Sequence, residues 1–124
     1  ADRMKSAAVA LTEWFGGFGI PVYLDGDVPD EAEAPYMTIP LRVPEWDRQA
    51  SFLVKVWYRT TSNLALITKA DEIVAAVNRG VKIKHDNGYI ALYTDTPLQY
   101  EILDGDYKGI CINLIINAYN MPGV

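Results

Sequence analysis

One cysteine and one histidine in 124 residues is a thin supply of reactive side chains, and the scarcity excludes several function classes. A lone thiol cannot close an intramolecular disulfide. Cys111 and His85, far apart in the chain, offer no zinc-ligand spacing. Basic residues are scarce too: Lys and Arg total 11 against 16 Asp and Glu, a net charge of −5. They never form a run, whereas a nucleic-acid groove draws its affinity from a basic face that neutralises phosphates. Tight DNA or RNA binding is therefore disfavoured, although a surface that DNA slides past is compatible. No apolar stretch approaches the ~20 residues that span a bilayer as a helix. Ala1–Leu11 opens as an amphipathic segment rather than a clean apolar leader, so a soluble, cytoplasmic chain is expected.

The remaining composition is that of one globular domain over residues 1–124. Half the residues are hydrophobic and 22% are charged, and a chain of this length buries roughly two thirds of its unfolded surface. Eight tyrosines suit sheets and protein interfaces, because one end of the side chain is apolar and the other wet. Cys111, within Gly109-Ile-Cys-Ile-Asn-Leu, reads as a small buried hydrophobe.

Hydrophobic spacing predicts a helix over residues 3–15, with Met4, Ala8, Leu11 and Phe15 as its stripe and Gly16-Gly17 as its stop. A short strand, Ile20–Leu24, follows, with Pro21 marking a sheet edge or the strand's first residue. Asp25–Pro35 is a loop with five carboxylates, Asp25, Asp27, Asp30, Glu31 and Glu33, and no base. Tyr36–Arg42 reads as a strand, and Val43–Gln49 as a connection carrying Trp46, Asp47 and Arg48. Phe52–Tyr58 is apolar on both faces, the mark of a central strand. Ser62 or Asn63 is placed to cap a helix whose core face is Leu66, Ala70, Ile73 and Val77, with Gly80 as its stop. Val81–Lys84 and Tyr89–Thr94 flank Asp86-Asn87-Gly88, a hairpin signal. Pro97 breaks the chain before a strand at Leu98–Leu103. Lys108–Asn120 closes it, with Ile110, Ile112, Leu114, Ile116 and Ala118 on one face.

These elements predict an α+β fold: a mixed, mainly antiparallel sheet of five or six strands with two helices packed on one face. The other face would carry Leu53, Trp57, Ile115 and several tyrosines, a patch of the kind that marks association.

Catalytic signatures are absent from the pattern. The acidic loop lacks the spacing of a calcium loop and reads best as a solvated segment. His85 and Asp86 are adjacent and would point to opposite faces, with no Ser or Cys in a recognisable nucleophile setting. Gly16-Gly-Phe-Gly follows a helix instead of joining a strand to one, so it fails as a phosphate loop. No enzyme activity, cofactor or metal is expected.

Val56-Trp-Tyr-Arg-Thr-Thr-Ser-Asn, then Lys69-Ala-Asp-Glu-Ile and Asn87-Gly-Tyr-Ile-Ala-Leu-Tyr, resembles the tail terminator (tail completion) proteins of long-tailed bacteriophages. Pro35-Tyr-Met-Thr-Ile-Pro-Leu upstream and Gly109-Ile-Cys-Ile-Asn-Leu-Ile-Ile-Asn-Ala-Tyr at the end are similar to that family's Pro-Tyr-aliphatic strand and its last strand. The resemblance covers nearly the whole chain and rests on the order of the motifs. It implies a virion protein at the head-proximal end of the tail, assembled in the host cytoplasm. Such a subunit forms a homo-hexameric ring that caps the tail tube and meets the head-completion (stopper) protein, while DNA passes through without specific binding. The family has no catalytic residues to transfer. Candidate lumen or interface residues are Asp25, Asp27, Asp30, Glu31 and Glu33, which read equally well as a merely exposed loop. Trp46, Asp47 and Arg48 are further candidates, since Trp and Arg are enriched at hot spots; a Trp46 folded back onto the core is the alternative. Another head–tail connector ring, or a small ligand-binding or enzymatic α+β domain using the open sheet face, are the competing readings.

Overall fold

The computed structural model describes residues 2–40, 49–59, 64–78, 80–86 and 88–120. The elements run α1 (Asp2–Gly16), β1 (Val22–Leu24), β2 (Tyr36–Ile39), β3 (Gln49–Tyr58), α2 (Leu64–Val77), β4 (Val81–His85), β5 (Gly88–Asp104) and β6 (Tyr107–Asn120). Among the described residues the strands form a 6-stranded sheet in the order β1-β2-β3-β6-β5-β4. Every pairing is antiparallel except β1 with β2. This is the α+β architecture that the sequence predicts.

Period-two alternation sorts the sheet into two faces. Val54 pairs with Ile112 and Val56 with Ile110, and all four are buried. They join Phe52, Leu114 and Ile116 in one core with Ala7, Leu11 and Phe15 of α1 and Leu66, Ala70, Ile73 and Val77 of α2. Both helices therefore cover the same face. α1 touches β1 and β4, the two ends of the sheet order, so the sheet curls around that helix. Phe15 stacks on Phe52 with ring centroids 6.2 Å apart. Lys69 of α2 donates to the Phe18 carbonyl at 2.6 Å and to Glu72 at 3.0 Å, which ties α2 to the turn after α1.

Gly80 ends α2 as expected: its φ is +95° and its N–H bonds the Val77 carbonyl, a left-handed stop that glycine adopts without strain. The region after the hairpin differs from expectation. Instead of two strands broken at Pro97, β5 is one strand with a register shift between Thr94 and Gln99. Thr94 pairs with Leu114 and Gln99 with Ile112, so β5 loops out extra residues there. A proline lacks the N–H that a ladder needs, and an interruption of this kind accommodates it. The strand expected at 20–24 shortens to β1; that expected at 36–42 is strand over Tyr36–Ile39, its last two residues lying outside the described residues. Met4 as a side chain, the Ser62 or Asn63 cap and Asn87 of the turn lie outside the described residues.

Candidate functional site

Among the described residues, the face of the sheet away from the helices carries partly exposed apolar and aromatic side chains. Residues opposite in sign of alternation to the core line it: Leu53 and Trp57 on β3, Ile115 on β6, and Tyr93, Tyr100 and Ile102 on β5. Leu53 is 36% exposed, Tyr93 43% and Tyr100 44%, while Trp57, Ile102 and Ile115 are half-buried. Two close approaches organise it. Gly109 leaves a slot in which a Cβ would stand 2.8 Å from Ile102 and 2.9 Å from Trp57, so those two side chains close over the glycine. Trp57 Nε1 donates to Thr38 Oγ1 at 3.3 Å, fixing the indole across β2.

Aromatic groups edge this face. Tyr36 meets Tyr23 and Tyr107 edge-on, with centroids 5.7 and 6.2 Å apart. Burial pushes the Tyr36 phenol above its ordinary pKa, and Tyr107, Asp104 and Tyr23 add to the rise because a phenolate there would repel their negative charge. The Arg59 guanidinium lies 6.0 Å from the Tyr107 ring and 3.3 Å from Asp106. At the far end Tyr89 stacks on Tyr119 at 4.9 Å, and Lys82 Nζ lies 4.9 Å from the Tyr89 ring centroid. Tyr100 is hydrogen-bonded to Cys111, and that bond is the main reason its phenol pKa is raised. Cys111 is buried, so its expected role as a small buried hydrophobe holds, on the open face instead of in the main core.

The acidic loop carries the chain from the end of β1 back to the start of β2, since those strands are parallel. Asp25 N–H bonds the Ile39 carbonyl at 2.8 Å and Asp27 N–H the Leu24 carbonyl at 2.9 Å, which anchors the start of the loop. Asp25, Asp27, Asp30, Glu31 and Glu33 are all exposed. No cluster of three or more His, Cys, Asp or Glu side chains suited to a metal occurs among the described residues. Trp46, Asp47 and Arg48 lie outside those residues.

One pairing was invisible in the sequence. Ser6 of α1 and His85 of β4, separated by 79 positions, share a hydrogen bond of 2.7 Å between Oγ and Nδ1. They line an open groove of about 700 Å³ with Lys5, Glu13, Lys84 and Asp86. Burial holds the His85 pKa below 6.5, with Asp86 pulling weakly the other way. A serine hydroxyl against a neutral imidazole can support proton transfer, but separation along the chain hides such a pair from any local motif. No protein-family model matches this chain, and no curated protein matches it.

Proposed function

We propose that this protein is a structural subunit of a bacteriophage tail, a terminator that closes the tail tube as a ring and offers the attachment surface for the head-completion protein. The observation that carries most weight is the second face of the sheet, which the helices leave uncovered with Leu53, Tyr93 and Tyr100 exposed. Apolar surface of that kind on a small domain supports association with other chains. The order of motifs along the sequence supplies the identity of the assembly. Net charge of −5 suits a channel through which DNA must move without sticking, because like charge repels phosphate. In this reading the exposed carboxylates of Asp25–Glu33 face the lumen or a basic partner, and the chain carries out no catalysis.

The test has two parts. Light scattering across concentration, with electron microscopy of the heaviest species, should reveal a closed six-membered ring with a central hole. Added to a growing tail tube of its own phage, the protein should stop elongation at one end. A protein that forms no ring and leaves tube length unchanged refutes the reading.

A second reading, a ligand-binding or enzymatic domain, has one observation in its favour: the Ser6–His85 hydrogen bond at the rim of a polar groove. Labelling of Ser6 by an organophosphonate, lost in His85→Gln, would favour it over the ring.

A further inference from the structure

β5 is longer than the strand that flanks it. β4 pairs only with Gly88–Leu92, so beyond the register shift the outer edge of Gln99–Asp104 has no neighbouring strand among the described residues, while β6 holds its inner edge throughout. β4 ends the sheet, and its own outer edge has no strand partner among the described residues either. Such edges present backbone N–H and C=O groups to any strand that can approach.

The two edges differ in charge. β4 carries Lys82 and Lys84, both exposed, and no acid. Gln99–Asp104 carries Glu101 and Asp104, both exposed, and no base. We propose that copies of this chain assemble head to tail, the outer edge of β4 in one subunit adding antiparallel to the outer edge of Gln99–Asp104 in the next. The association of copies rests on the ring reading above; the choice of strands and their register rests on the edges alone.

The register follows from the two faces. Ile83 pairs with Ile90 and belongs to the helix-covered core, whereas Lys82 and Lys84 lie on the open face. On the β5 arm, Glu101 pairs with Ile110 on the helix side, and Leu103 falls on that same side. Tyr100, Ile102 and Asp104 fall on the open side. Placing Ile83 opposite Leu103 continues both faces across the junction. It sets Lys82 opposite Asp104, and opposite charges facing each other across a ladder are favourable. A slip of one residue would turn the lysines toward the helix side. Leu103 is 77% exposed and Ile67 of α2 45%, and the two border a cavity of about 180 Å³. An added strand would cover that apolar rim.

Charge also discriminates against symmetric pairing. Two β5 arms paired antiparallel would set either Glu101 or Asp104 against its own copy, according to register, with no base on the arm to offset it, and two β4 edges would set lysine against lysine; like charges directly opposite are destabilising. A contact between unlike edges is heterologous, and heterologous contacts build rings when the rotation closes.

Charge reversal tests this directly. Asp104→Lys and Lys82→Glu, each at an exposed position, should retain the wild-type circular dichroism spectrum. Each should weaken self-association by about tenfold or more, read by sedimentation velocity, and the double variant Lys82→Glu/Asp104→Lys should recover it. A second readout uses Lys82→Cys/Asp104→Cys with Cys111→Ala. Facing residues of an antiparallel pair have Cα atoms about 4.5–5.5 Å apart, within disulfide reach. In one chain these positions lie roughly 30 Å apart along β5, so every disulfide must join two chains and mild oxidation should give a ladder of linked oligomers. Single reversals that associate like the wild type, a folded double variant that does not recover, or no cross-linked ladder would each overturn the edge pairing. A ring that survives both reversals leaves the terminator reading standing. A wild type that stays monomeric to about 1 mM overturns the pairing, and the tube-elongation assay then decides the terminator reading separately.

Discussion

Replacing Gly109 by alanine probes how tightly the open face of the sheet is closed. The new Cβ would stand 2.8 Å from Ile102 Cγ1, 2.9 Å from Trp57 Cε3 and 3.0 Å from Ile102 Cδ1. Carbon atoms rest about 3.5–4.0 Å apart, so the two neighbours must together yield by roughly 0.6–1 Å. Trp57 is held by its bond to Thr38 and follows Val56, which is fully buried in the core. Ile102 sits on the arm of β5 that has no outer strand among the described residues, so the arm should give way first. Overpacking of this kind costs about 1–3 kcal/mol, while alanine restricts the unfolded chain and returns about 0.4–1 kcal/mol. The net expectation is a loss of about 1–2 kcal/mol, a fall in Tm of about 4–8 °C for a domain of this size. Thermal melts followed by circular dichroism, with tryptophan fluorescence as the local reporter, measure both effects. A variant at least as stable as the wild type would refute the packing argument, because unfolded-state entropy would then outweigh the clash.

Three further perturbations address the core, the loop and the helix–strand junction. Ile73→Ala empties a fully buried position under the sheet and should cost about 2–5 kcal/mol; an unchanged denaturation midpoint would remove that face of α2 from the core. Converting Asp25, Asp27, Asp30, Glu31 and Glu33 together to Asn or Gln should leave stability within about 0.5 kcal/mol, since all five are exposed; unfolding of that variant would make the loop a structural element. The folded-state pKa of His85 lies below 6.5 because burial disfavours its charged form. The unfolded chain then takes up its proton at higher pH than the folded one. This contribution is fully present above pH 6.5 and is lost as pH falls through the lower folded value. Melting temperatures of wild type and His85→Gln, compared from about pH 8 to pH 5, should differ by a smaller margin toward the acid end, and parallel curves would contradict the burial argument.

Much of the fold was legible because the chain repeats its hydrophobic residues with clean periods. Leu66, Ala70, Ile73 and Val77, assigned from helical spacing, are the buried residues of α2. Ile110, Ile112, Leu114, Ile116 and Ala118, assigned from alternation, are all buried in β6. Gly80 ends its helix with positive φ, as a glycine just past a periodic run suggests. The strand break expected at Pro97 failed because a proline forbids one ladder hydrogen bond and not a whole strand. The register shift between Thr94 and Gln99 takes up the misfit, and whether a sheet can do so depends on strands distant in sequence.

The candidate site divides along the same line. Carboxylates in a Gly- and Pro-punctuated loop are bound to be exposed, so the surface position of Asp25–Glu33 was readable from local chemistry. Local chemistry also supplied the two helices, the strand identities and the apolar character of both faces of β3. Only the tertiary structure decided which strands became neighbours, because pairing is settled by packing between segments far apart in the chain. That placement curled the sheet around α1 and brought Ser6 to His85. It also began β4 at Val81, opposite Leu92, leaving an acidic arm of β5 and a lysine-bearing edge of β4 on a single subunit.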